Sequence, residues 1–444
     1  MDENRMAVVE VPFGHGTMRA TIPARNLIGT YVAPGARAAE DPAGEILSAL
    51  EHPIGSAPLP ERLKRGMTVC VVVSDLTRPV PYRIMLPVLL RLLNRCGVSD
   101  RDITLLVATG LHRGLTPEEQ AQLYGEDVVR RVRVVNHNYS DPTNLVRLGV
   151  TRHGTPIEVN RLAVETDFLL LTGYIEPHQQ LGFTGGRKSI MPGIASEAAV
   201  MHNHGPKMMD DPRAVNGVLE GNPQHEDSLE FAQAVGVDFI LNVVLNEEEK
   251  LVKAVAGDLV EAWLAGVELS RSFREVVLPE PCDVAVTASG APLDQVLYQG
   301  PKIASAVFRA EDPIVRDGGT VIVPMEATEG VGHHREFYEL MCSGQGNPDA
   351  VIERCYTSPV KDQWGSQIWA RMLQRLRMTI VTQNMTPAGI EAMGVTHQPT
   401  LQQALDEALA CYGPDCKVAV FPRATTVLPR LAKQPGRTNE QEDR

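Results

Sequence analysis

Continuous apolar runs separated by helical patterns recur along this chain, and that alternation constrains its fold more than any other feature. The run VCVVV inside TVCVVVSD (68–75) has no polar residue at alternate positions. Such a strand must be covered on both faces, as a parallel strand between helix layers is. ITLLVATG (103–110), RVRVVNH (131–137) and DFLLLTG (167–173) repeat the pattern. Residues 84–96 carry a helical period closed by Gly97, a suitable C-terminal stop. Thr116, Pro117 and Glu119 read as a helix start with a capping box. FILNVVLN and KLVKAVAGD (239–258) read as a hairpin, followed by a helix at 259–275 and the break LPEP. A second series then begins with CDVAVTASG (282–290), GTVIVPM (319–325), MTIVTQN (378–384) and CKVAVFP (416–422). Helical patterns at 294–309, 347–356, 362–377 and 400–412 lie between them.

Strand–helix alternation in both halves predicts an α/β chain of two domains with mainly parallel sheets and the active site at the domain interface. The predicted domains are 1–276, catalytic and cofactor-binding, and 277–434. The polar stretch PGRTNEQEDR at 435–444 is expected to be a disordered tail. The first sixty residues read only as short strands and turns.

Composition excludes several classes. Lys and Arg number 42 against 55 Asp and Glu, a net charge of −13, which suits neither a nucleic-acid partner nor an anionic membrane. No apolar run reaches membrane-spanning length and MDENRMAVVEVPFG lacks a signal-like apolar core, so a soluble cytoplasmic protein is expected. The seven cysteines are odd in number and form no CxxC, which argues against a disulfide framework, a zinc ribbon or an iron–sulfur cluster.

Ligands of open parallel sheets sit beyond the carboxyl ends of strands, and there the polar residues gather. Asp75, Thr77 and Arg78 follow the first strand, His112 and Arg113 the second. Glu176, His178 and Lys188 follow the strand at 167–173, and Asp294, Gln299 and Lys302 follow the one at 282–290. Each has a plain structural reading as well: Asp75 as a turn cap, each histidine as a hydrogen bonder, GGRK as a tight turn, His202-Asn203-His204 as a solvated turn. GFTGGRKS lacks Walker spacing, yet the amides of Gly185 and Gly186 could cradle an anion. His202 and His204 form the one HxH pair and no HExxH occurs, a thin metal signal.

DLTRP (75–79), GLHR (110–113), EPHQQLGFTGGRKSIMPG (176–193), His-Asn-His (202–204) and LYQGPK (297–302) together resemble the nickel-dependent lactate racemase family. The resemblance runs in order from about residue 60 to about residue 375. It implies a nickel-pincer nucleotide, pyridinium-3,5-bisthiocarboxylic acid mononucleotide, joined to Lys188 through a thioamide. It implies His204 as the nickel ligand, with His202 as fallback, and His112 and His178 as acid/base catalysts. Asp75, Thr77 and Arg78 would contact the cofactor, Arg78 also the substrate. Gln299 and Lys302 would hold the substrate carboxylate, and Trp364 would stand near the site. By chemistry rather than family match, Thr184, Gly185, Gly186 and Arg187 would receive the nucleotide phosphate.

The implied reaction is racemisation or epimerisation of a 2-hydroxy acid. Hydrogen leaves as hydride and returns on the other face of a 2-oxo acid, which avoids a carbanion beside a carboxylate. Lactate, malate, longer aliphatic, aromatic and sugar acids are all compatible substrates, and the oligomeric state is not legible. Proteins that make and deliver the cofactor are implied partners. Two other readings stay open at this point: a non-catalytic protein binding an anionic nucleotide, and a hydrolase using a metal on His202 and His204.

Overall fold

The structure of the chain, a computed structural model, describes residues 5–361 and 363–432. It divides into two compact units, Gly35–Phe273 and Met1–Pro34 with Arg274–Arg444. The reading of a first domain over 1–276 is therefore corrected, because the first 34 residues group with the C-terminal half. Strand pairing is the reason. Leu27–Thr30 runs parallel to Val418–Phe421. The hairpin of Met6–Phe13 and Gly16–Pro23 puts Val9, Val11, Ala20 and Ile22 in one core with Leu401, Leu405, Val418 and Val420. The predicted tail at 435–444 lies outside the described residues.

In the Gly35–Phe273 unit, six strands lie in the order Leu251–Gly257, Phe239–Leu245, Phe168–Tyr174, Val69–Ser74, Ile103–Ala108, Arg133–Asn136. All neighbours are parallel except Leu251–Gly257, which closes one edge as the predicted hairpin. Val71, Val73, Leu105 and Leu170 have no exposed surface. Each such side chain contributes about 1.5–3 kcal/mol of burial. Helix Tyr82–Arg95 supplies Leu86, Leu89 and Leu93 to the same core. From Val69–Ser74 the chain steps outward to Ile103–Ala108 and Arg133–Asn136, then returns to lay Phe168–Tyr174 on the opposite side. Strand order thus reverses between Val69–Ser74 and Phe168–Tyr174, and a crevice beyond the carboxyl ends at such a reversal is where doubly wound sheets take ligands.

The other unit has six parallel strands in the order Thr396–Gln398, Arg377–Val381, Val315–Pro324, Cys282–Thr287, Val418–Phe421, Leu27–Thr30. Its reversal falls between Cys282–Thr287 and Val418–Phe421, directly before the segment carrying Gln299 and Lys302. The helix expected over 294–309 is shorter than that: turns at Leu293–Gln295 and Leu297–Gln299 precede helix Gly300–Phe308. Pro301 occupies the first helical turn, where its missing N–H breaks no bond. Gln299 thereby becomes the cap residue and Lys302 enters the first turn. Among the described residues no helix is long and apolar enough to cross a membrane, and all seven cysteines are free.

Candidate active site

Asp75 stands at the reversal of the first sheet on backbone pinned from both sides. The Ser74 N–H donates to Tyr82 Oη (2.5 Å) and the Ser74 carbonyl accepts from Tyr124 Oη (2.8 Å). Asp75 is buried. Its Oδ1 accepts from the amide (3.0 Å) and hydroxyl (2.5 Å) of Thr77, and its Oδ2 meets His112 Nδ1 at 2.7 Å. Burial pushes this carboxyl up, but the His112 bond and charge, the Thr77 hydroxyl and Arg78 outweigh it and hold it below the usual range. A charged carboxylate only accepts, so His112 Nδ1 carries a hydrogen, and whenever the ring is neutral the lone pair is on Nε2. Both Thr77 donors close on the Asp75 carboxylate. Arg78 is partly exposed beside it.

His178 is set differently. Pro177–His178 pairs with Gly182–Phe183 in a two-residue ladder. The turn between them aims the N–H groups of Gln180 (3.3 Å) and Leu181 (3.2 Å) at His178 Nδ1. Amides can only donate, so Nδ1 accepts and the hydrogen of the neutral ring sits on Nε2. As neutral rings the two candidate acid/base histidines are therefore opposite tautomers, His112 with a lone pair on Nε2 and His178 with a hydrogen there.

The glycine loop after His178 is anchored from within. Trp263 Nε1 donates to the Thr184 carbonyl (2.8 Å), and the Gly186 amide donates to Asn242 Oδ1 (2.7 Å). Arg187 is fully buried, donates to the Leu181 (2.7 Å) and Gly185 (3.4 Å) carbonyls, and lies 4.2 Å above the Trp263 ring. Burial brings its guanidinium down to about 9. Gly185 and Gly186 have φ of +77° and +51°, and a Cβ at Gly186 would stand 2.9 Å from the Trp263 ring. The loop expected to cradle phosphate is itself held by the protein. The Gly186 amide is engaged, the missing side chains admit Asn242 and Trp263, and Arg187 braces the loop. Ser189 Oγ donates to the Thr172 carbonyl (2.8 Å), and the Gly110 amide to the Gly193 carbonyl (2.9 Å). These bonds lay the Lys188 segment over the ends of Phe168–Tyr174 and Ile103–Ala108.

His204 caps helix Glu197–Asn203, its N–H on the Val200 carbonyl at 2.8 Å. Burial, and then the Lys188 charge, bring its imidazole down to about 3. His204 is thus neutral and within electrostatic reach of Lys188. His202 is exposed, its Nδ1 2.9 Å from Thr155 Oγ1. Among the described residues no three or more His, Cys, Asp or Glu stand together as a metal-holding group.

The unit containing Arg274–Arg444 has its own cluster. Trp364 Nε1 donates to Tyr298 Oη (3.1 Å), and Tyr298 stacks on His334 with ring centroids 3.7 Å apart. Trp364 is thus brought beside the Tyr298–Gln299 pair. Asp294, without exposed surface, accepts the Gly14 amide of the N-terminal hairpin (2.6 Å), and Gly14 returns its carbonyl to the Ala291 amide (2.9 Å). Tyr298 and His334 were not singled out by sequence reasoning. Tyr298 lies inside LYQGPK and was within reach of it, whereas nothing in GHHRE marks His334.

Models of the lactate racemase N-terminal and C-terminal domains match residues 13–217 and 277–428. The chain belongs to the lactate racemase family. It is 34% identical over 431 residues to the lactate racemase of Thermoanaerobacterium thermosaccharolyticum, covering 96% of this chain and all of that protein. It is 34% identical over 432 residues to the lactate racemase of Lactiplantibacillus plantarum, covering 95% of this chain and all of that one. The lactate racemase apoprotein structure from T. thermosaccharolyticum superposes with a TM-score of 0.87 at 33% identity, over 96% of this chain and all of that one. A Thermotoga maritima protein shares the fold, with a TM-score of 0.66 at 20% identity over 90% of this chain and all of that one. As a lactate racemase family member, the chain is an isomerase.

Proposed function

We propose that this racemase acts on a 2-hydroxy acid, lactate or a near relative, with a nickel-pincer nucleotide tethered at Lys188. The observation that carries the reading is that both histidines are oriented through Nδ1, His112 by Asp75 and His178 by two backbone amides. Each ring takes a hydroxyl proton when neutral and gives one when protonated, as inversion of a hydroxylated carbon in either direction requires. His204 fits a nickel position, because a metal binds neutral imidazole and burial keeps this ring neutral. Lys188, close to it and only partly buried, fits the tether.

A bound nickel-pincer nucleotide would supply hydride acceptance and return. His112 Nε2 takes the hydroxyl proton of one enantiomer, and Asp75 stabilises the imidazolium that forms. A protonated His178 returns a proton to the oxygen as the other enantiomer appears, which leaves the ring neutral. The reverse reaction exchanges the roles. By the family resemblance, Arg78, Gln299 and Lys302 would serve the substrate carboxylate, with Trp364 near the substrate. Cofactor-making proteins are the expected partners and the cytoplasm the expected location.

The test is production together with those proteins, followed by intact mass, peptide mapping and nickel analysis. The expected result is an adduct on Lys188 with nickel in step. Racemisation of lactate by a chain with unmodified Lys188 overturns the tether. His112→Ala and His178→Ala are each expected to keep the adduct and lose racemisation by about 10²–10⁴-fold, and full activity in either removes that residue from proton transfer.

A further inference from the structure

Helix Pro223–Val235 turns a polar edge inward. Gln224, Asp227 and Ser228, with the cap residue Asn222, have no exposed surface, where an amphipathic helix ordinarily presents apolar side chains. Asp227 is the costliest of them, because a carboxylate removed from water must have its lone pairs met. Its partners are the hydroxyls of Thr151 (2.5 Å) and Thr155 (2.7 Å) and the side-chain amide of Asn203 (2.7 Å). All three are neutral, and the proton and carboxylate roles described above use none of these groups.

The bonds run in one direction. Asp227 accepts, so the Thr155 hydroxyl gives it its single hydrogen, and the Thr155 oxygen then accepts from His202 Nδ1–H at 2.9 Å. Asn203 is held twice, by its side chain on Asp227 and by its carbonyl, which accepts from Gln224 Nε2 at 3.0 Å. The residue after that carbonyl is His204. On the other side, Asn222 donates to the Gln180 carbonyl (2.7 Å), in the turn that sets the His178 tautomer.

We infer that Asp227 and Gln224 are positioning residues that fix the His202–Asn203–His204 corner, so that His204 is offered to nickel in one orientation. The inference rests on His204 being the nickel ligand. Asp227 and Gln224 act through Asn203 and, by way of Thr155, His202 rather than on His204 itself; outer partners of a metal ligand typically change affinity by about 10–100-fold when altered. Asp227→Asn keeps the shape and turns one acceptor oxygen into an amide donor, set against either the Thr151 hydroxyl or the Thr155 hydroxyl and Asn203 amide. The loaded wild type and variant are to be compared by intact mass, by visible absorption of the bound nickel, and by nickel release to EDTA. The expected result is the same Lys188 adduct with altered absorption and release about 10–100-fold faster. Thr155→Val, which leaves Asp227 two donors, is expected to move both readouts the same way, and Thr155→Ser to restore them. Unchanged absorption and release in a folded Asp227→Asn overturns the inference. If that variant does not fold, Thr155→Val decides it on the same readouts. A wild type with neither adduct nor nickel overturns the functional reading itself, and this inference with it.

Discussion

Asp75 holds its own turn with one oxygen and His112 with the other, so it sets both where that ring stands and which of its nitrogens carries a hydrogen. Asp75→Asn removes the charge and leaves the shape. It is expected to keep the fold and to lower kcat by roughly 10²–10⁴-fold with little change in KM, measured as initial racemisation rates in both directions. His137 illustrates a buried histidine with a structural duty. Its Nε2 donates to the Ala195 carbonyl (2.9 Å) and its Nδ1 accepts from Asn160 (3.0 Å), which leaves no place for a second proton. Burial brings its pKa from 6.5 to about 4. Between those values only the unfolded chain binds the proton, so stability falls as pH drops through that window. The slope from this group is at most about 1.4 kcal/mol per pH unit. Urea unfolding at pH 7 and pH 5 is expected to show a smaller difference in His137→Gln than in wild type. His112, His178 and Lys188 were legible as candidates because short motifs surround them. The tautomers were not, since they depend on which donors and acceptors the folded turns bring to each ring.

The glycine loop shows what an element adds to its residues. Gly186→Ala puts a methyl 2.9 Å from Trp263 at φ +51°, so overpacking of about 1–3 kcal/mol adds to left-handed backbone strain. Gly236→Ala, at φ +86° with nothing within 4 Å, carries the strain alone. The expected outcome is a markedly larger fall in Tm for Gly186→Ala, together with loss of the Lys188 adduct. Equal falls would show that the loop yields freely against Trp263. Read locally, GGRK has the composition of an anion loop; Asn242 and Trp263 lie too far along the chain for the sequence to pair them with it. Helix Pro223–Val235 left a usable trace in Gln224, Asp227 and Ser228, polar residues at i, i+3 and i+4, the spacing of a single helix face. A polar stripe there reads equally well as a solvated surface, and only burial tells the two apart.

At the scale of the whole molecule, the α/β class and both mainly parallel sheets followed from apolar runs of strand length. The grouping of the first 34 residues did not, because Leu27–Thr30 is too short to announce its partner. The fragment 35–273 is expected to fold alone, with a cooperative urea transition. The fragment 274–432 is expected to do so only when residues 5–34 are supplied, by fusion or as a peptide. A cooperative transition of 274–432 without them would sink the assignment. The same pairing sets a timetable for synthesis. The ribosome makes Leu27–Thr30 near the start and Val418–Phe421 near the end, so the first-made strand waits while the intervening unit emerges and folds. At roughly 5–20 residues per second that wait lasts tens of seconds. Through it the nascent hairpin must keep Val9, Val11 and Ile22 out of contact with other chains, which makes the amino terminus the segment where a chaperone would be needed first.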